Sequence, residues 1–379
     1  MFERNFVSFV KSLYGCDLIP LHRPIFKGLE KQNLLDCITS NFVSSVGEKV
    51  TEFERKIAHY TGSKFAVATV NGTSALQMCL HLSEVSEGDE VITQALTFVA
   101  TGNAISYCGA NPIFIDVDKD SLGMSPNALL LFLEKNAEIK NGVTYNKNTG
   151  SIIKACVPMH TFGFPCRINE ISEICIDWNI VLIEDAAESL GSYFDNRHTG
   201  TLSRLAAISF NGNKIITTGG GGMIITDDEV LAKRAKHLTT TAKVPHKYEF
   251  VHDEIGYNFR MPNLNAALGC AQVERLQWML EQKKEIACRY SEFFEDLGIN
   301  MLKSIKSAVP NNWLNAIILN SRKERDDFLL FTNDNGVMTR PIWKLMSELP
   351  MYKNCQRDVL KNSTWLQDRV VNIPSSVPN

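Results

Sequence analysis

The chain of 379 residues is long enough for two ordinary domains or for one large α/β domain with an appendage. Its hydrophobic fraction is 44%, its charged fraction is 21% and its net charge is −3, which is close to the composition of soluble globular proteins. This charge balance offers no positive field for nucleic acid or for an anionic membrane surface, and no apolar run has the length of a membrane span. The composition therefore predicts a soluble, compact protein with no nucleic-acid or membrane partner.

Ten cysteines are scattered along the chain without a Cys-x-x-Cys pair, and most stand among apolar residues, as Cys156 and Cys175 do. Such cysteines are typical of small buried hydrophobes, so we expect reduced core thiols rather than disulfides or a metal site. Residues 1–18 mix Phe2 and Phe6 with charged residues, which predicts an amphipathic helical arm rather than a signal peptide. These features predict a cytoplasmic protein.

From about residue 50, short β-rich runs alternate with amphipathic helical patterns. A polar segment at 141–150 is predicted to be a loop. Strands that alternate with helices indicate a mostly parallel sheet covered on both faces, and in such sheets ligands bind beyond the carboxyl ends of the strands. The predicted strands are 64–68, 90–92, 112–117, 152–157, 180–183, 206–210 and 222–226, and the predicted helices are 52–60, 73–82, 98–107, 126–134 and 168–178.

The pattern from 263 to about 294 predicts one long helix, because apolar residues such as Ala267 and Cys270 recur every three or four positions. The tail adds a strand at 314–319 and a helix at 323–332, which indicates a smaller α+β domain. We therefore predict three regions: a helical arm at 1–18, a large α/β domain at 19–262, and a spine helix with a small C-terminal α+β domain at 263–379.

The segment Val70–Leu76 follows the first predicted strand and combines a glycine turn with two hydroxyl residues that open a helix, Thr73 and Ser74. A helix N-terminus preceded by glycine offers free backbone N–H groups and hydroxyl donors, which suits a phosphate. An ordinary Thr or Ser N-cap is the alternative explanation of this segment on its own.

The segment Ile183–Glu188 places acidic residues directly after an apolar strand. A carboxylate such as Asp185 is costly at the end of a buried strand unless it is paired or functional, and a protonated ring nitrogen of a cofactor is one suitable partner. An acid that complements the dipole at a helix start is the alternative.

Lys214 follows another buried strand, inside a polar loop that continues to the glycine run Gly219–Gly222. Neither the dinucleotide-binding GxGxxG motif nor the Walker GxxxxGK[ST] motif fits this loop. A desolvated lysine can lose its proton and form a Schiff base, whereas a lone lysine is usually a solvated surface residue. A fourth segment, Gly256–Pro262, precedes the long helix and is by itself only a loop.

In chain order these segments supply a phosphate cradle, an acid for a ring nitrogen and a lysine, and together they resemble the DegT/DnrJ/EryC1/StrS family of sugar aminotransferases. The resemblance runs from Ile19 to Ser376 and includes further matching segments at 53–54, 88–92, 97–101 and 114–118. The family uses pyridoxal 5'-phosphate in a fold-type I scaffold. The resemblance therefore implies a pyridoxal phosphate-dependent transaminase with a mostly parallel seven-stranded sheet between helices and a smaller C-terminal α+β domain.

The resemblance assigns roles to the matching positions nearest the chemistry. It implies that Lys214 holds the cofactor as a Schiff base and, once released, moves the proton between carbon centres. It implies that Asp185 pairs with the pyridinium nitrogen and keeps the ring an electron sink. Glu188 stands where the family usually has Gln, Glu or His, near the phenolic oxygen of the cofactor.

The remaining roles that the resemblance implies concern the phosphate and the ring face. Thr73, Ser74 and Ser209 would bind the phosphate, and Phe98 would stack on the pyridine ring. Packing within the core on a helix is the alternative for Phe98. Asn258 would reach the phosphate from the neighbouring subunit, so the resemblance implies a homodimer with active sites shared between subunits.

Two stretches depart from the family pattern. The family often has Phe-Pro or His-Pro before the lysine and Gly-Glu-Gly-Gly after it, where this chain has Asn211–Asn213 and Gly219–Gly222. The acid of the second stretch is missing, whereas the lysine, the strand-end acid and the phosphate cradle are kept. Together with the segments 42–47 and 340–343, these two variant segments most resemble the branch of the family that makes 4-amino sugars for nonulosonic acids such as legionaminic acid.

We therefore expect an aminotransferase that converts a nucleotide-linked 4-keto-6-deoxyhexose, foremost UDP-2-acetamido-2,6-dideoxy-4-ketohexose, to the 4-amino sugar with glutamate as donor. The product would serve surface glycan or nonulosonic acid biosynthesis. The alternatives are another keto sugar (GDP- or dTDP-linked, a 3-keto sugar or a keto-octulosonate) and a non-catalytic regulatory member of the same fold. Family members that dehydrate sugars replace the lysine with histidine, so Lys214 disfavours dehydration.

Overall fold

The computed structural model describes residues 2–45 and 47–378. Met1 of the predicted arm, Val46 of the segment 42–47 and Asn379 of the predicted small domain lie outside the described residues. The α-helices are α1 (Phe2–Tyr14), α2 (Glu30–Thr39), α3 (Glu48–Thr61), α4 (Gly72–Leu82), α5 (Val99–Tyr107), α6 (Pro126–Asn136), α7 (Ile168–Asp177), α8 (Glu229–Thr239), α9 (Asn263–Glu274), α10 (Leu276–Glu295), α11 (Arg322–Asp334) and α12 (Lys361–Gln367).

The strands fall into one large sheet and several small ones. In chain order they are β1 (Phe65–Thr69), β2 (Glu90–Gln94), β3 (Asn111–Ile115), β4 (Ala137–Lys140), β5 (Val143–Asn146), β6 (Ile153–Val157), β7 (Val181–Asp185), β8 (Tyr193–Phe194), β9 (Arg197–His198), β10 (Leu205–Ser209), β11 (Gly222–Thr226), β12 (Lys243–Val244), β13 (Val251–His252), β14 (Asn300–Met301), β15 (Ala308–Val309), β16 (Asn315–Ile318), β17 (Arg340–Pro341) and β18 (Val370–Ile373).

The large sheet has seven strands in the order β1-β11-β10-β7-β6-β2-β3. Strands β10, β7, β6, β2 and β3 run parallel, whereas β11 is antiparallel to both of its neighbours, β1 and β10. All seven strands correspond to predicted ones, with ends shifted by at most two residues. The predicted α/β fold with a mostly parallel seven-stranded sheet is confirmed.

Helices cover both faces of this sheet. On β10, Ala206 and Ile208 belong to a core that includes Phe53 of α3, whereas their neighbours Leu205 and Ala207 face a second core. The second core includes side chains of α4 and α8. Since successive side chains of a strand point to opposite faces, the central strands are buried on both sides, which explains their continuous apolar runs.

The C-terminal region is a smaller α+β unit around the antiparallel sheet β14-β16-β18-β17. The helix predicted within the N-terminal arm is present as α1, and it packs on this region. Phe6 of α1 lies in one aromatic cluster with Tyr290 and Phe294 of α10 and Phe328 of α11. Aromatic burial of this kind contributes a large part of the packing free energy of a small core.

The prediction of one continuous helix over 263–294 is wrong in one respect, because α9 ends at Glu274 and α10 begins at Leu276. Arg275 has φ −103° and ψ −2°, and its N–H donates to the carbonyl of Gln272, only three residues back. Its guanidinium lies 4.9 Å from the ring centroid of Trp278. A single residue whose hydrogen bond spans three residues therefore separates two segments that share one hydrophobic periodicity.

The prediction of a loop over 141–150 is wrong at residues 143–146, which form β5 and pair with β4 in an antiparallel hairpin. The turn residues Asn141 and Gly142 have φ values of 52° and 78°. Two consecutive positive φ values are typical of a two-residue hairpin turn, for which Asn-Gly is the preferred sequence. The polar composition of the segment concealed this hairpin signal.

The ten cysteines are all free, and six of them are buried. In the described part of the chain, no helix is long and apolar enough to cross a membrane.

We predict that Gly269→Ala destabilises the fold, although alanine favours a helix interior. A Cβ at this position of α9 would lie 2.7 Å from the Phe53 ring and 2.8 Å from Thr218 Cγ2. Overpacking of this kind costs about 1–3 kcal/mol, which exceeds the helix propensity gain of about 1 kcal/mol. Urea unfolding followed by circular dichroism measures the effect. Gln277→Ala, on the exposed face of α10, is the control, and a Gly269→Ala variant as stable as wild type would contradict this packing argument.

Candidate active site

Three strand ends converge on a cavity of about 660 Å³. Because β11 is antiparallel to both neighbours, β1, β10 and β7 all run in one direction and their carboxyl ends lie at the same edge of the sheet. Six of the predicted site residues line this cavity: Thr73, Phe98, Asp185, Glu188, Ser209 and Lys214.

Two predicted site residues are placed differently. Ser74 is buried in the first turn of α4, and its N–H donates to the Asn71 side chain, the N-cap of that helix, at 2.8 Å. Asn258 is exposed outside the cavity, where its Oδ1 accepts a bond from Arg260 Nε at 3.0 Å. A single chain therefore does not bring Asn258 into its own cavity, and its role toward a neighbouring subunit stays a prediction.

Lys214 extends into the cavity from the irregular segment between β10 and β11. Its Nζ donates to Glu188 Oε1 at 3.1 Å and lies 4.1 Å from the centroid of the Trp313 ring. The lysine side chain is 13% exposed, and that of Glu188 is 2% exposed. The amine is thus held between a buried carboxylate and an aromatic face, unlike a solvated surface lysine.

Asp185, the last residue of β7, is buried at the back of the cavity. Its Oδ2 accepts a bond from the Thr101 hydroxyl at 2.8 Å, and its Oδ1 accepts one from the Ala187 N–H at 3.2 Å. Burial raises the pKa of Asp185 above its ordinary value, and these two bonds partly oppose that shift. The carboxylate is fixed in orientation and would gain from a cationic partner in the cavity.

Glu188 is held by an unusual backbone conformation. Phe162 has φ 57° and ψ 15°, in the left-handed region that a bulky residue rarely adopts, and its N–H donates to Glu188 Oε2 at 2.9 Å. The Phe162 ring packs 5.0 Å from that of Trp343. Such strain costs about 1–3 kcal/mol and persists where the surroundings fix it. Here it gives Glu188 a second donor opposite Lys214.

The N-terminus of α4 meets Ser209 without an intervening side chain. A Cβ at Gly72 would lie 2.8 Å from Ser209 Cβ, so only glycine allows this approach. Gly222, the last glycine of the run after the lysine, also allows close backbone contact. A Cβ at this position would lie 2.3 Å from the Asn71 carbonyl oxygen. Close backbone approach therefore brings hydroxyls and helix N–H groups together at one corner of the cavity, as a phosphate site requires.

A buried pair lies behind Asp185. His160 Nε2 is 2.9 Å from Glu184 Oε2, and His160 Nδ1 accepts a bond from the Cys166 N–H at 3.3 Å. The proton therefore stands on Nε2 and is donated to Glu184. Burial alone would raise the pKa of Glu184, but its bonds to His160, the Gly200 N–H and the Ser203 hydroxyl hold it below the ordinary value. This pair anchors the end of β7 rather than facing the cavity.

The aromatic residues of the cavity were predicted only in part. Phe98 is 48% exposed and lies 6.1 Å from the ring of Trp343, so it is not buried in the core of α5 as the alternative proposed. Trp313 and Phe162 were missed by the sequence analysis. They lie far from Lys214 in the chain and carry no local motif, so only their tertiary contacts reveal them.

An amine beside two buried carboxylates, with a helix N-terminus and aromatic rings around the same cavity, suits a pyridoxal phosphate-dependent transferase. The DegT/DnrJ/EryC1/StrS aminotransferase family matches residues 24–378. The chain therefore belongs to this family and is a pyridoxal phosphate-dependent sugar aminotransferase.

Individual relatives agree with this assignment. The chain is 35% identical over 359 residues to the GDP-perosamine synthase of Escherichia coli O157:H7, covering 94% of this chain and 93% of that protein. It is 33% identical over 361 residues to the GDP-perosamine synthase of Vibrio cholerae, covering 94% of each. Among solved structures, the aminotransferase TlmJ from Streptoalloteichus hindustanus matches with a TM-score of 0.84 at 25% identity, covering 94% of this chain and 93% of that one.

The residues present fit the cofactor of this family. Asp185 offers a buried carboxylate with few other partners, Lys214 offers an amine, and Gly72 leaves the helix N-terminus open toward Ser209. When bound, pyridoxal phosphate supplies an electron sink for chemistry at the carbon that bears the amine. The chain supplies the groups that bind it, orient it and move protons.

We predict that Glu188→Gln stabilises the cofactor-free protein at pH 7 by about 0.5–2 kcal/mol, a typical gain when a functional residue is replaced. Burial raises the pKa of Glu188 above its ordinary value of 4.5, so its ionisation opposes folding. The loss of folding stability that this ionisation causes is absent below pH 4.5 and grows as the pH rises from there toward the folded-state pKa of Glu188.

Chemical unfolding of both proteins between pH 4 and pH 8 checks this prediction. The stability difference should shrink toward zero at the acidic end. Equal stability of the two proteins at pH 7 and above would show that the bonds from Lys214 and Phe162 compensate for burial of the carboxylate.

Proposed function

We propose that this aminotransferase converts a nucleotide-linked 4-keto-6-deoxyhexose to the corresponding 4-amino sugar, with glutamate as the amino donor. The observation that carries the proposal is the contact of Lys214 Nζ with Glu188 at 3.1 Å, beside Asp185 in one cavity. An intact lysine, acid and phosphate corner are the groups that turnover needs, which argues against a non-catalytic member of the fold. The product would enter surface glycan or nonulosonic acid biosynthesis.

Two nucleotides have support as the carrier of the keto sugar. UDP-2-acetamido-2,6-dideoxy-4-ketohexose is our first candidate, because the segments 42–47 and 340–343 resemble the branch that serves legionaminic acid. A GDP-linked 4-keto sugar is the second, supported by 35% identity to a GDP-perosamine synthase. Arg340, Trp343 and Lys344 lie at the cavity and offer an aromatic face and two cations for a nucleoside diphosphate.

We assign the cofactor contacts as follows. Thr73, Ser74 and Ser209 bind the phosphate at the N-terminus of α4, where the helix dipole favours an anion. Phe98 stacks on the ring from the exposed side of the cavity. Asp185 holds a proton on the ring nitrogen, because a buried carboxylate strongly favours a cationic partner.

Lys214 and Glu188 handle the transferred proton. Lys214 would hold the cofactor covalently through its Nζ, and the bound cofactor would supply an electron sink for the carbon that bears the amine. Freed of that bond, Nζ would be the group that takes a proton from carbon and returns it. Glu188, at 3.1 Å, stabilises the protonated amine between these steps and keeps it within the cavity.

We propose further that the functional unit is a cytoplasmic homodimer in which Asn258 completes the partner's phosphate site. Asn258 is exposed and belongs to the segment after the hairpin β12–β13. Tyr248, Phe250 and Ile255 in this region are 77%, 81% and 86% exposed. Exposed apolar side chains grouped on one segment are typical of a protein interface.

A substrate panel tests the reaction. With glutamate as donor, UDP-, GDP- and dTDP-linked 4-keto-6-deoxyhexoses are assayed for the amino sugar by mass spectrometry. We expect the UDP-2-acetamido sugar to give the highest kcat/KM, and Lys214→Ala to lose at least about 100-fold in kcat. Lys233→Ala, on the exposed face of α8, is the matched control. Turnover by Lys214→Ala at the wild-type rate, or no amination of any 4-keto sugar, would contradict the proposal.

Mixing two inactive variants tests the shared site. Asn258→Asp places a negative charge against the partner's phosphate and should inactivate that partner's site, whereas Lys214→Ala inactivates its own. After refolding of an equal mixture, half of the dimers are mixed, and each has one intact site. The mixture should therefore recover about a quarter of wild-type activity. No recovery, despite a dimer in sedimentation, would show that Asn258 acts within its own chain.

A further inference from the structure

Trp313 contacts the catalytic lysine in two separate ways. Its ring centroid lies 4.1 Å from Lys214 Nζ, and its Nε1 donates to the carbonyl of Asn213 at 2.7 Å. Trp313 is 3% exposed and stands just before β16, one hundred residues from Asn213 in sequence. One side chain thus holds both the peptide bond that precedes Lys214 and the amine at its end.

We propose that Trp313 is a positioning residue for Lys214, whose indole N–H fixes the backbone before the lysine and whose ring face retains the free ammonium in the cavity. The inference rests on the proposed role of Lys214 as the amine that binds the cofactor. It addresses a requirement of that role: the amine must leave and return to the same place in every turnover.

The segment around Lys214 needs such support because it has little regular structure. Residues 210–221 connect β10 to β11 without helix or strand, and the Lys214 N–H donates to the Asn211 carbonyl at 3.0 Å. A turn of this kind is easily displaced unless tertiary contacts fix it. The Trp313 indole donates to the carbonyl of Asn213, which lies within this turn and directly precedes Lys214. The bond therefore restricts the motion of the turn and of the lysine.

Trp313 is itself held by buried groups. Lys283 of α10, which is 1% exposed, donates from Nζ to the Trp313 carbonyl at 2.9 Å and also to that of Ser375. The Trp313 N–H donates to Asn311 Oδ1 at 2.8 Å, and Asn311 Nδ2 donates to the Glu188 carbonyl at 2.9 Å. The tryptophan is therefore connected to the backbone of the residue that pairs with Lys214.

The charges that face Lys214 are consistent with retention of an ammonium. Glu188 lies 3.1 Å away, and the charge of Lys214 also acts on Asp185. His22 packs edge-on to Trp313 at 6.4 Å, and burial lowers its pKa well below the ordinary value, so it is neutral near pH 7. The ammonium thus faces two carboxylates and an aromatic ring, without an opposing histidine charge.

Two substitutions separate the two contacts. Trp313→Phe keeps an aromatic face and removes the N–H, whereas Trp313→Leu removes both. Trp365 is the matched control, because Lys119 Nζ lies 4.2 Å from its ring centroid outside the cavity. Trp365→Phe and Trp365→Leu remove the same kinds of group from a comparable cation–π contact. Should Trp313→Leu fail to fold, Trp313→Met removes the ring and fills the space with a longer, more adaptable side chain.

The full-length chain freed of cofactor is measured in two ways. Amide hydrogen exchange across residues 210–218 reports the order of the segment, and we expect it to accelerate about tenfold in both Trp313 variants. Labelling of Lys214 by a small acylating reagent at one fixed pH, followed by peptide mass mapping, reports access to the amine. Labelling should accelerate about threefold to tenfold in Trp313→Leu, because the ring no longer covers the amine, and stay near wild type in Trp313→Phe.

The proposal is overturned if exchange in residues 210–218 is unchanged in both variants, or if Trp313→Leu labels at the wild-type rate. It is equally overturned if the Trp365 variants produce the same changes, since the effect would then be general. Both measurements use the protein without substrate. If the proposed sugar reaction fails, the results of these two measurements still stand. If the positioning role fails, the substrate panel still identifies the sugar that the enzyme aminates.

Discussion

The contact between Lys214 and the buried Glu188 is the interaction on which the rest of the site depends. An unpaired carboxylate in this position would be costly, and an unpaired amine would be drawn into water, so each group keeps the other in the cavity. The left-handed backbone of Phe162 supplies the second donor to the carboxylate, and Trp313 covers the amine. The amine is thereby held in a largely buried place, where electrostatic interactions are stronger than in water.

The sheet topology makes this contact possible. Because β11 runs antiparallel between β1 and β10, it lets β1, β10 and β7 present their carboxyl ends along one edge. Glycine at position 222 then allows the turn before α4 to lie against β11. The phosphate corner, the strand-end acid and the lysine thus come from three separate segments, and the sheet brings them to one cavity.

Much of the fold and part of the site could be predicted from the sequence, because the signals were local. Each strand of the large sheet is a short apolar run, Asp185 ends one of these strands, and Lys214 follows another by five residues. The hairpin β4–β5 was missed because its polar composition outweighed the Asn-Gly turn signal. Trp313 and Phe162 could not be found, because their roles arise from contacts across the fold and from a backbone conformation that no single-sequence pattern indicates.

The most direct test of this account is to locate the covalent attachment of the cofactor. The protein is purified with pyridoxal phosphate, reduced with borohydride, digested and mapped by mass spectrometry. The account predicts loss of the visible absorbance band and a reduced pyridoxyl group on Lys214, with none on Lys283, the other buried lysine described above. A label on any other lysine, or no label on a protein that still transaminates, would contradict the central claim.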